Sequence, residues 1–286
     1  MSTQGWCRRG ALRRVCRVAP TNEPLARIQQ QFRRQADAYE RLASVSDTGG
    51  LRRLVMLAQA NAQDRVLDVA CGPAFLTMTF AQGCREAVGV DGTDVFVDHA
   101  RAEARRRGLA NVRFVLGDVE RMPLVDSAFD VAACRAAVHH FPRPAAVLRE
   151  MIRVTKPAAR LLIADQVSAE DPAKAALHNE IERLCDPTHA RALSESEFER
   201  LFADLGLAVA FKGRATIDYS VREWMSHGGP VPEQARQIER KMQGAIDGDS
   251  AGLAVRIEGG ELRFSHTAVA FLVEKRGHSQ FHDMKP

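Results

Sequence analysis

Five short apolar runs, at residues 66–70, 87–90, 112–116, 129–134 and 160–164, constrain this chain more than any other feature. Each has the length of a buried strand and stops at a turn residue or an acid, and helix-length segments lie between most of them. Strands spaced this way pair in parallel through crossover helices. The pattern predicts an α/β fold: a doubly wound, mostly parallel sheet with helices on both faces.

The flanking segments complete the expected architecture. Residues 23–43 read as a polar helix with one apolar stripe, Ile28, Phe32, Ala36 and Tyr39, and residues 51–60 as a second helix. Residues 171–193 interrupt the alternation with a helix at 173–185. Ser194 and Glu197 form a capping-box pattern for a helix at 194–205. A sixth strand at 207–211, helices at 221–227 and 232–246, and a long closing strand at 262–274 follow. The expectation is a seven-stranded sheet with N-terminal helices and a helical insertion after the fifth strand. In domain terms, 1–22 is expected to be a disordered leader, with an Arg-rich targeting peptide as the alternative, 23–62 a helical cap, and 63–286 the main domain. That domain carries a lid insertion at 171–193 and a C-terminal helical segment at 219–247.

The formal net charge of +4 comes from one place. Arg8, Arg9, Arg13, Arg14 and Arg17 sit in the acid-free first 20 residues, which leaves the rest of the chain at −1. A duplex-binding surface needs clustered cations on the folded body. Only Arg105–Arg107 cluster there, and they read as the solvated end of a helix, so no nucleic-acid partner is expected. No apolar stretch reaches the roughly 18 residues of a membrane span. With no secretory segment, a cytoplasmic location is expected. The six cysteines form no C-x-x-C pair and no histidine cluster has zinc-ligand spacing, so no metal is expected.

The first run continues into Val66-Leu67-Asp68-Val69-Ala70-Cys71-Gly72-Pro73-Ala74. A strand entering a tight turn before a helix aims backbone N–H groups at a ligand. A dinucleotide-binding turn would need glycine at 70, 72 and 75, where the chain has Ala, Gly and Phe; Phe75 would block a pyrophosphate. The next two strands also end in acids, Asp91 and Asp118. Each could be a helix cap or turn residue taken singly, but three at successive strand ends form an ordered set.

This set resembles the class I S-adenosylmethionine-dependent methyltransferases. Asp68, Ala70, Gly72 and Ala74 stand at the fixed positions of the family's [DE]-x-G-x-G-x-G motif, with alanine at two glycine positions. The segments 121–130 and 147–157 are similar to two further family segments, and the likeness, covering roughly residues 27–210, is greatest to the ubiquinone/menaquinone C-methyltransferase-like group. It implies S-adenosyl-L-methionine as cofactor. Asp68, Ala70 and Gly72 would lie at its amino-acid end, Asp91 and Gly92 at the ribose, Asp118 and Val119 at the adenine, and Cys134 beside it.

The fourth strand runs into Arg135-Ala136-Ala137-Val138-His139-His140 and lacks the [DN]-P-P-[YFW] motif of enzymes that methylate bases or amides. His139 and His140 are candidate general bases for a phenol, enol or carbon acid. The bland alternative packs one under the loop and leaves the other in solvent. The insertion resembles a segment of the same subgroup, and Asn179, Glu182, His189 and Arg191 are its candidate acceptor contacts. The expected function is methyl transfer to an oxygen or carbon of a small molecule by an enzyme that can be a homodimer. A non-catalytic ligand-binding protein and a nucleic-acid methyltransferase are the alternatives. The alanines at 70 and 74, which resist positive φ, favour the non-catalytic one.

Overall fold

The structure, a computed structural model, describes residues 26–27, 29–33 and 47–275. The expected leader, and Ile28, Ala36 and Tyr39 of the N-terminal stripe, lie outside the described residues. Residues 26–27 and 29–33 are helical, as expected.

The elements follow in the order α1 (Thr48–Leu57), β1 (Arg65–Val69), α2 (Phe75–Phe80), β2 (Glu86–Asp91), α3 (Asp94–Arg106), β3 (Val112–Leu116), β4 (Phe129–Arg135), α4 (Pro144–Val154) and β5 (Thr155–Val167). The chain continues with α5 (Pro172–Cys185), α6 (Glu195–Asp204), β6 (Leu207–Ser220), α7 (Val221–Gly228), α8 (Pro232–Gly244), β7 (Arg256–Glu258) and β8 (Glu261–Lys275). The sheet order is β3-β2-β1-β4-β5-β8-β6, with β7 added against the edge of β8. The strand count is therefore eight rather than seven. β7 was not anticipated because three residues, Arg256 to Glu258, carry no apolar alternation of their own; Gly259–Gly260 folds them back on β8 as a hairpin.

Local chemistry accounts for the framework. β1 and β4 are buried along almost their whole length, which is why they read as continuous apolar runs rather than alternating ones. Ser194 and Glu197 close the capping box at the start of α6. Arg106 and Arg107 pair with Glu103 at the solvated end of α3.

The winding order decides where the site lies. β1 starts in the centre, the chain runs outward to β3, and then returns to place β4 on the other side of β1. Val69 is level with Val90 on β2 and Cys134 on β4, and Cys134 with Ile163 on β5. Four carboxyl ends thus open together at the switch point, where an open α/β sheet binds its ligand.

β6 and β8 are longer than expected for one reason. They pair from Leu207↔Lys275 to Ser220↔Arg263, whereas β5 leaves β8 at Val167↔Thr267. Their free end overhangs the switch point. There Tyr219, Trp224, Met225, Ile238, Met242 and Phe264 form a second core with Ile181 of α5. The expected lid insertion and C-terminal helices thus share one apolar cap above the crevice.

Candidate active site

The turn after β1 keeps the backbone its motif requires. Ala70, Gly72 and Ala74 have φ of 54°, 52° and 65°. The left-handed conformation costs an alanine about 1–2 kcal/mol, so the expected obstacle is overcome by the surrounding structure. Gly89 makes room below: a Cβ there would lie 2.7 Å from Cys71 Sγ. Pro73 precedes Ala74, the N-cap of α2, and so lies just outside the helix.

Asp68 stands beneath this turn, 2% exposed, and Thr77 Oγ1 donates to its Oδ2 at 2.6 Å. Burial lifts its carboxyl to about 7. Asp91 receives Gly72 N on Oδ2 and Thr93 N on Oδ1, both at 2.8 Å, so each oxygen keeps a lone pair. Burial holds its pKa above the usual carboxylate value despite these donors. Gly117 N donates to Asp91 O, tying the ends of β2 and β3 together. Asp118 accepts from Glu120 N at 2.9 Å and, with Val119, is half-buried beside that junction. The sequence-predicted residues 68, 70, 72, 91, 92, 118 and 119 therefore converge on one ridge of strand ends.

Cys134 departs from the set. Its side chain is 1% exposed in the main core, because the pleat turns it inward while the next residues, Arg135 and Ala136, reach the crevice.

Beyond β4 the crevice widens into a cavity of about 560 Å³, the size of a small-molecule site. Arg135, His139, His140 and Asp165 form one wall, Glu182, His189 and His266 another, and Tyr219 and Trp224 contribute apolar surface. His139 Nδ1 is 2.5 Å from Asp165 Oδ1. Asp165 Oδ2 also receives the N–H groups of Ala137, Val138 and His139, and Oδ1 that of Gln166. This cage fixes the carboxylate, which fixes the imidazole with Nδ1 protonated and Nε2 as the basic nitrogen.

The charges follow from that contact. Burial pulls the His139 pKa down, but the Asp165 carboxylate outweighs it and leaves the imidazole above its ordinary value. Burial raises the Asp165 carboxyl, and the facing His139 outweighs that, leaving it below the usual value. Burial and the neighbouring His139 drive His140 to about 4, and its Nδ1 faces Thr188 Oγ1 at 3.1 Å. The two histidines thus differ: Asp165 holds His139 above its ordinary value, and His140 is a neutral wall residue.

The N-terminal helical residues tie the two halves of the site together. Gln29 Nε2 donates to Gly92 O at 2.6 Å, Arg33 pairs with Asp94 at 2.8 Å, and the Phe32 ring lies between those of Phe96 and His140. Gln31 Nε2 reaches Gly228 O at the end of α7. These residues bridge the ridge and the cap.

The insertion divides the four expected acceptor contacts. Glu182 and His189 line the cavity. Asn179 does not: its Oδ1 holds His189 Nε2 and Ala192 N, and its Nδ2 holds Ala175 O and Ala192 O. It staples the loop 186–193 across α5, which also explains why Asn179 and Glu182 are buried. Arg191 is exposed and paired with Glu197 at 2.7 Å, outside the cavity.

Sequence reading missed Asp165, Phe32 as a cavity residue, and His266. Asp165 carried the signal used elsewhere, an acid near the carboxyl end of a parallel strand. His266 carried none, because only the β6–β8 overhang brings it to the site.

Residues 60–206, more than half of the chain, match the family described as a methyltransferase domain. The chain is 32% identical over 216 residues to the uncharacterized methyltransferase YcgJ of Bacillus subtilis (strain 168), covering 76% of this chain and 85% of that protein. A crystal structure of the YcgJ protein aligns with a TM-score of 0.74 at 31% identity, over 80% of this chain and 98% of that one. The ubiquinone/menaquinone biosynthesis C-methyltransferase UbiE of Azotobacter vinelandii (strain DJ) is 33% identical over 153 residues, 50% of this chain and 60% of its own length. Among the described residues no helix is long and apolar enough to cross a membrane.

Proposed function

Because the chain belongs to the class I S-adenosyl-L-methionine-dependent methyltransferases, we propose that it methylates an oxygen or carbon of a small molecule seated beside His139. The observation that carries this reading is the Asp165-caged imidazole in the wall of the cavity. A cleft of about 560 Å³ suits a metabolite-sized acceptor. UbiE is named as a C-methyltransferase, which supports carbon as one of the two acceptor atoms.

The ridge fits the donor. Three left-handed residues keep side chains clear of the loop surface. Asp91 presents two anchored oxygens with spare lone pairs, as a pair of ribose hydroxyls requires. Ala70 and Gly72 would hold the amino-acid end, with Asp68 bracing the turn from below, and Asp118 and Val119 would hold the adenine. When bound, the donor supplies an electrophilic methyl group.

His139 takes the acceptor's proton at Nε2 as the acceptor becomes nucleophilic. Asp165 stabilises the resulting imidazolium and prevents the ring from turning. Gln29, Phe32 and Arg33 flank the site on the N-terminal side and the cap flanks it on the other, which helps to align the reactants. The non-catalytic reading loses its support here, since Ala70 and Ala74 hold the glycine conformation.

The reading is tested by incubating the protein with methyl-labelled donor and fractionated metabolites. Label should enter a small-molecule fraction with wild-type protein and fall by about 10²–10⁴ with His139→Gln. Equal labelling by both would remove His139 from the chemistry.

A further inference from the structure

We infer that His178, Glu182 and His266 form a binding site for a divalent transition-metal ion, of the kind zinc occupies, at the cavity wall. His178 and Glu182 are one turn apart on the same face of α5, and His266 comes from β8. His266 Nε2 lies 2.8 Å and His178 Nε2 3.7 Å from the same oxygen, Glu182 Oε1. All three ligand atoms fall within 4.8 Å of one another. Ligands at the usual zinc bond lengths in a tetrahedral site stand about 3.4 Å apart, so shifts of about 0.3–0.6 Å bring both nitrogens to that spacing from Oε1, and the two nitrogens close on each other from within 4.8 Å.

Two further observations point to a ligand. His178 is 1% exposed, and among the described residues neither of its ring nitrogens has a hydrogen-bond partner. A buried unsatisfied donor or acceptor costs about 1–3 kcal/mol, and here two stand on one ring. A metal bond at one nitrogen removes much of that cost. Glu182 is the second: it is buried, and its ion-pair partners among the described residues are all histidines, with no lysine or arginine. A divalent ion supplies the missing positive charge. His189 Nδ1, which has no hydrogen-bond partner among the described residues, lies 3.9 Å from the other carboxylate oxygen and is placed to hold it from outside.

Two histidines and one glutamate leave a tetrahedral ion one open position, the arrangement of catalytic rather than structural sites. Glu182 and His266 line the cavity, so that position faces it. There the ion would coordinate an acceptor oxygen and make it more acidic. This last step rests on the cavity being the acceptor site; metal binding itself does not. Ligand spacing in sequence hid the site, because His266 follows Glu182 by 84 residues.

The test uses the full chain purified without chelator. Metal content is measured, and after chelation the protein is titrated with Co²⁺ in the visible and with Zn²⁺ in a thermal melt. The expected result is about one ion per chain, a Co²⁺ band of tetrahedral intensity, and a higher Tm with Zn²⁺. His178→Gln, Glu182→Gln and His266→Gln should each weaken Co²⁺ binding at least tenfold while binding S-adenosylhomocysteine normally. Protein that binds S-adenosylhomocysteine but takes up neither ion would overturn the proposal, as would variants that bind Co²⁺ as tightly as wild type. Neither readout depends on methyl transfer, so loss of the acceptor reading would leave the metal result standing.

Discussion

His139 Nδ1 and Asp165 Oδ1 stand 2.5 Å apart in the cavity wall, and four backbone N–H groups converge on the same carboxylate. The contact keeps the imidazole pKa above its ordinary value, with Glu182 and Asp186 adding to the effect of Asp165. Only the neutral ring accepts a proton, so turnover should fall as pH drops through that raised value. Asp165→Asn removes the carboxylate charge and leaves burial to dominate. The acid limb should then move to lower pH, and the plateau rate should fall by about 10²–10⁴. A pH–rate profile of the two proteins checks this; an unmoved limb would detach Asp165 from the base.

Asp91 spends one lone pair of each oxygen on Gly72 N and Thr93 N. Asp91→Ala should therefore weaken S-adenosylhomocysteine binding more than tenfold, since hydrogen bonds to a charged group contribute about 1.5–3 kcal/mol each. Calorimetric titration reads the affinity directly. Unchanged affinity would take Asp91 out of the ribose site.

Ala70 and Ala74 sit at φ of 54° and 65°. Replacing both by glycine relieves the strain but loosens the unfolded chain, and the net gain should be about 0.5 kcal/mol per site. A Tm rise of about 1–4 °C is expected, with S-adenosylhomocysteine affinity unchanged. A fall in Tm would mean that the loop relaxes elsewhere without glycine.

Phe32 bridges Phe96 at the ridge and His140 at the cavity, while the Arg33–Asp94 pair is half-exposed. Phe32→Ala should raise the acceptor KM several-fold, since the ring is half-buried and contributes less than the about 1.5–3 kcal/mol of full burial. Arg33→Ala should change it little, since exposed pairs contribute about 0–1 kcal/mol. Steady-state kinetics on both variants separate closure by packing from closure by charge; a larger effect at Arg33 would reverse the assignment.

What the sequence disclosed has a physical boundary. The parallel half of the sheet was legible because β1, β2 and β4 are buried along almost their whole length and acids such as Asp91 and Asp118 stand at or just beyond strand ends. The ridge was legible for the same reason: strand ends place residues without help from tertiary contacts. Cys134 was misplaced because one step along the pleat reverses a side chain, and the reading located the strand end but not its phase. Asn179 and Arg191 were misplaced because the loop 186–193 folds back over α5, a contact that no periodicity encodes. His178 and His266, 88 positions apart in the chain but stacked at 5.6 Å, became neighbours only through the β6–β8 overhang.

The central claim is methyl transfer to a small molecule in the cavity beside His139. Its most direct measurement follows labelled methyl from S-adenosyl-L-methionine into a cell extract separated into metabolite, protein and nucleic-acid fractions. Wild-type protein should label the metabolite fraction, and His139→Gln should lose that labelling while binding S-adenosylhomocysteine as before. Label confined to the protein or nucleic-acid fraction, or undiminished by His139→Gln, would contradict the account.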